Sequence, residues 1–139
     1  MTAATTADYV VPAQSRAVDA LALAGRILIA AIFVLSAIAK FADPAGTAAY
    51  VASAGLPAPV LAAWGAALLE VVGGIALIAG FRTRLVALAL AVFTLVAAAF
   101  FHSALGDQNQ FIHFFKNVAM AGGLLQVAAF GPGRLAISR

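Results

Sequence analysis

Four stretches of about 20 residues, each nearly free of charge, run through this chain at roughly 20–40, 60–80, 85–101 and 111–130. A helix rises about 1.5 Å per residue and the hydrocarbon core of a bilayer is about 30 Å thick, so each stretch is long enough to cross a membrane as a helix. Hydrophobic residues make up 65% of the 139 and charged residues only 9%, against about 25% charged in soluble domains. Eight Lys/Arg and five Asp/Glu cannot clothe a water-facing surface. A soluble globule is therefore excluded, and the sequence predicts an all-α, integral membrane four-helix bundle solvated by lipid.

Residues 1–19 mix Thr, Ala, Asp and Pro12 without a period and read as a flexible N-terminal tail. The four-span membrane domain follows over 20–133, closed by Gly131-Pro132-Gly133, and 134–139 is a short basic tail with no visible anchor. Between the first two spans, Asp43, Pro44, Gly46, Ser53, Gly55, Pro57 and Pro59 punctuate a loop, with a weak helix from Thr47 to Ala54 along the interface. Phe81-Arg82-Thr83-Arg84 is a tight basic turn that sends the third span back antiparallel, and 102–110 is the most polar segment. Arg16, Arg26, Arg82, Arg84, Arg134 and Arg139 fall at one side, Lys40 and Lys116 at the other. The positive-inside rule then puts both termini and the Arg82/Arg84 turn in the cytoplasm. A cleaved signal ending at Ala37-Ile38-Ala39 is the competing reading, but its apolar run is too long and carries Arg26.

An ionisable group inside a span costs about 2.5–3.5 kcal/mol on insertion scales, so each is expected to face the bundle and to find a partner. Glu70 lies near the middle of the second span, and Arg26 on the first is its expected counter-ion. That pair reads either as a clamp between the first two helices or as a proton-handling site, and a third reading has Arg26 snorkel toward the cytoplasmic headgroups. On the first helix Arg26, Phe33, Ser36 and Lys40 share one stripe; on the second, Ala66, Glu70, Gly73 and Leu77 share a face, with Gly74 beside them.

On the fourth helix His113, Lys116, Asn117 and Met120 form a polar strip. Facing inward, that strip meets Lys40 and His102. Together with Phe33 and Ser36 these residues would line a cationic, histidine-bearing pocket in the outer leaflet. Ammonium and imidazole N–H groups can donate to carbonyl oxygens while phenyl rings cover an aromatic face, so the pocket suits a quinone-like or anionic ligand.

Two histidines and a methionine also raise copper, but no cysteine, His-x-His pair or carboxylate stands at ligand spacing, and no metal site is assigned. With no cysteine there is no disulfide and no dithiol relay on this chain. Any electrons would travel on a bound molecule. No covalent cofactor motif, P-loop, GxSxG or HExxH is present, and the scattered basic residues make no nucleic-acid patch.

GRILIAAIFVLSAIAKF, then ALLEVVGGIALIAGFRTRLVAL, then a histidine ending the third span, then HFFKNVAMAGGLLQVA, together resemble the DoxX family of small four-helix bacterial membrane proteins. The likeness covers roughly 24–130. It implies a multi-pass protein of the inner membrane, with the family's recurrent charged positions falling at Arg26, Lys40, Glu70, Arg84, His102 and Lys116. It also implies a link to redox physiology, since relatives include the small subunit of a thiosulfate–quinone oxidoreductase and partners of oxidative-stress proteins. One departure is Ser36-Ala37, where many relatives carry glycine before the lysine. The expected function is an accessory subunit, not catalytic by itself, that binds a quinone-like or lipid ligand and docks a membrane or peripheral redox protein. The alternatives are a quinone-linked oxidoreductase subunit acting on a small sulfur anion, and a purely structural or assembly protein; a second copy of the chain is a further candidate partner.

Overall fold

A computed structural model describes residues 15–138. It is all-helical: α1 (Arg16–Ala42), α2 (Pro44–Ser53), α3 (Pro59–Ala79), α4 (Thr83–Phe101) and α5 (Gln108–Phe130), with no strand among the described residues. The expected N-terminal tail lies outside the described residues up to Gln14; from Ser15 the chain is already ordered as a cap, its hydroxyl accepting from Val18 N, so α1 starts before position 20.

Three helices, α1, α3 and α4, are long and apolar enough to cross a membrane. The stretch expected as a fourth span folds as the 23-residue helix α5, which packs along α4. Its composition alone does not mark it as a span, because Gln108, Asn109, Gln110, His113, Lys116 and Asn117 crowd its first half. Large apolar side chains such as Leu28, Leu61, Val72 and Leu85 face outward and are exposed, as lipid solvation requires.

The short α2 begins earlier than its weak periodicity indicates. Asp43 caps it by accepting from Gly46 N at 2.9 Å, and Pro44 occupies its first turn, where a missing N–H costs nothing. It packs mainly on α3.

The helices pair as α1 with α3 and α4 with α5. The pairs close on each other in one half only, through Ala30, Phe33, Leu77, Ala87, Leu90, Ala91, Ala121 and Leu124. This is the half nearest Arg26 and the Arg82 turn, here the arginine end. Toward the opposite histidine end the lining includes small residues, among them Ala62, Gly65 and Ala66 on α3 and Ala97 on α4, and space remains between the pairs.

The arginine end is sealed by the segment after α5, expected as an unanchored tail. Ile137 N donates to Ala79 O at 3.0 Å and Ser138 N to Gly80 O at 3.2 Å, while Arg134 N donates to Asp19 Oδ1 at 2.9 Å. The tail is thus fixed, because the last carbonyls of α3 and the buried Asp19 need donors that lipid cannot supply. Gly80 makes this closure feasible: at φ +75° a Cβ would collide with Ala136 and the Arg26 guanidinium. Gly80→Val should therefore lower stability by about 2–4 kcal/mol, read as a fall in thermal midpoint in detergent.

Candidate functional site

The expected ion pair between Arg26 and Glu70 does not form. Arg26 Nη1 instead donates to Leu77 O at 3.0 Å and Ile78 O at 2.9 Å, and Nη2 donates to Leu135 O. The guanidinium is a tertiary cap on the C-terminus of α3, where unpaired carbonyls and the negative end of the helix dipole both attract a cation. Sequence reasoning gave Arg26 the nearest carboxylate in the second span, yet it lies two turns closer to the helix end than Glu70 does, and the planar fork fits two successive carbonyls.

Glu70 has a different partner. Lys40 Nζ stands 2.8 Å from Glu70 Oε2, with side-chain exposures of 24% and 7%. Ser36 Oγ donates to Glu70 Oε1 at 3.1 Å and accepts from Lys40 Nζ at 2.6 Å. The approach of Lys40 to Oε2 is oblique, so that oxygen gains an electrostatic partner without a well-aligned hydrogen bond. Lys40, one turn after Ser36 on α1, reaches back along its helix; Gly74 on α3 sits against Val34 and Ala30, so α1 and α3 approach closely beside the cluster.

The space at the histidine end is a half-enclosed cavity of about 910 Å³. Phe33, Ser36, Lys40, His102, His113, Lys116 and Asn117 border this cavity. Glu70 does so as well. His102 and His113 stack with ring centroids 5.0 Å apart, and His102 Nδ1 lies 3.0 Å from Gln110 Oε1, which fixes the first ring. Lys116 is exposed and has no ion-pair partner among the described residues. The short α2 roofs part of the space, with Gly46, Thr47, Tyr50 and Val51 on the lining and Tyr50 stacked on Phe101 at 5.0 Å.

The lining is less cationic than the sequence indicated. Lys40 and Lys116 are matched by the carboxylates of Glu70 and Asp43, both of which also line the cavity. Asp43 reads in sequence as loop punctuation, and its place on the lining follows only from α2 folding back over α3. Thr94 was also missed: it lines the cavity, is 2% exposed, and its Oγ1 has no hydrogen-bond partner. A threonine inside an apolar run carries no sequence signal of that kind. Nor did the sequence point to the Asp19–Arg134 ion pair at the arginine end, 3.7 Å between Oδ2 and Nε. Arg82 and Arg84 flank the α3–α4 turn as expected, with Arg82 N donating to Ser138 Oγ at 3.0 Å. No three of His, Cys, Asp and Glu converge as a metal site among the described residues.

Comparison with known proteins adds a family to this geometry. The DoxX profile matches residues 21–103, from the second turn of α1 to just past the end of α4. Inner membrane protein YqjF of Escherichia coli (strain K12) is 38% identical over 117 residues, covering 84% of this chain and 88% of that protein. Inner membrane protein YphA of the same organism is 37% identical over 124 residues, covering 86% and 89%. No solved structure matches the chain significantly.

Proposed function

The chain belongs to the DoxX family and is a multi-pass inner-membrane protein, and from that premise we propose that it is an accessory subunit whose cavity holds a quinone-like ligand for a redox partner. The observation that carries this reading is the cavity itself. Its volume of about 910 Å³ falls in the roughly 300–1,000 Å³ range of small-molecule sites, and its lining is mainly apolar with a few polar groups, as such sites usually are. Phe33, Phe93 and Phe100 can cover a ring, while Lys116, His113 and Asn117 offer donors to ring oxygens. The chain has no cysteine, so electrons would pass on the ligand and reach it through a membrane or peripheral redox protein.

In this reading α5 is the fourth span. Its polar strip turns to the cavity, and Phe111, Ile112, Val118, Leu125 and Phe130 are left for lipid. The arginine end is cytoplasmic by the excess of Arg over Lys there, and the cavity opens toward the outer leaflet. The alternative of a small sulfur anion as substrate is disfavoured by Glu70 and Asp43, whose charges offset those of the two lysines.

Filling the space tests the proposal. Ala97→Phe should weaken binding of a decyl-substituted benzoquinone in nanodiscs by at least about tenfold while the protein accumulates normally in the membrane, because one large ring occupies ligand volume without disturbing the core at the other end. Unchanged affinity would remove the cavity as the site.

A further inference from the structure

Resting on the reading of the cavity as a quinone-like site, we infer that it selects the hydroquinone over the quinone, because its buried polar groups call for a ligand that donates a hydrogen bond as well as accepting one. The two redox forms differ in one respect at their ring oxygens: a phenolic O–H donates and accepts, whereas a carbonyl only accepts.

The cluster at Glu70 distinguishes them. A carboxylate offers about four acceptor positions. Glu70 uses one for Ser36 Oγ and one, obliquely, for Lys40 Nζ, while its side chain is 7% exposed and lines the cavity. No other donor among the described residues fills the remaining lone pairs. Lys40 Nζ is committed to Ser36 Oγ and Glu70 Oε2 and retains one further N–H. A donor and an unfilled acceptor thus stand side by side. A hydroxyl placed there accepts from Lys40 and donates to Glu70, and the second bond is strengthened by the carboxylate charge. A carbonyl satisfies Lys40 alone and brings its own lone pairs against those of Glu70.

Thr94 on α4 adds a polar group that serves both redox forms. It is buried, unpartnered and on the same lining. Its hydroxyl can turn to either role, so it accommodates both forms, and the discrimination rests with Glu70.

The test is equilibrium binding to the full-length protein in nanodiscs under argon, with decyl-benzoquinone and the corresponding hydroquinone as probes. The hydroquinone should bind about tenfold more tightly, the equivalent of one buried hydrogen bond left unmade by the quinone. Glu70→Gln, whose amide can present N–H to a carbonyl, should bring the ratio close to one, and Thr94→Val should weaken both forms alike. The ratio on unaltered protein requires no variant to fold. Equal affinities, or tighter quinone binding, overturn the selectivity and leave the cavity as a quinone site. Binding of neither form overturns the proposed function and this inference with it.

Discussion

Arg26→Ala should be the most damaging single substitution in the protein, with a loss on the order of 3–5 kcal/mol. Its guanidinium supplies the donors for Leu77 O, Ile78 O and Leu135 O, where the end of α3 meets the tail. A buried acceptor left without a donor costs about 1–3 kcal/mol, and lipid offers no water to replace it. Folded domains have only about 5–15 kcal/mol in total. Most of the variant should therefore be lost from the membrane fraction, and what remains should expose the segment after Gly131 to protease. Arg26→Lys should recover part of the loss, since one ammonium can reach a carbonyl but cannot fork across two. Wild-type abundance and an intact tail in Arg26→Ala would show that the cap contributes little.

The second large effect is at the other charged cluster. Lys40→Met leaves Glu70, 7% exposed, with only the Ser36 hydroxyl, and breaking a largely buried pair on one side costs about 3–5 kcal/mol. The double change Lys40→Met with Glu70→Leu removes both charges together and should recover most of that stability, because desolvation of two ions offsets much of their attraction. Thermal midpoints of the two single variants and the double variant give a coupling of about 2–3 kcal/mol in this view. Additive losses would mean that Lys40 and Glu70 act independently. In either outcome the double variant should lose the preference for hydroquinone, which separates the structural part of the cluster from its part in binding.

Much of the fold was legible because the membrane imposes it: apolar runs set where helices lie, and Gly, Pro and Asp set where they stop. Which residues share a face of α1 or of α5 was legible for the same reason, since a polar side chain inside a span has few places to point. Phe33, Ser36 and Lys40 on α1 and His113, Lys116 and Asn117 on α5 were placed by helical spacing alone, and all face the cavity. Partner choice was not legible. Arg26 and Glu70 were the two most costly charges in their spans, yet pairing depends on height along the helices and on competing backbone carbonyls, which spacing does not reveal. Ser36 bridges Lys40 and Glu70, a role its helical spacing did not indicate. The tail was illegible too, since residues 131–138 have no period and their order depends on the carbonyls of α3 and on Asp19 across the bundle.

The central claim, that the space at the histidine end holds a small amphipathic molecule, is tested most directly by native mass spectrometry on protein drawn gently from its own membrane. The expected spectrum has one added mass per chain, an organic ring compound on extraction, present in wild type and absent from Ala97→Phe. Identical spectra for the two proteins, with no added mass beyond loosely held phospholipid, would contradict the claim and leave the cavity as a gap between helices.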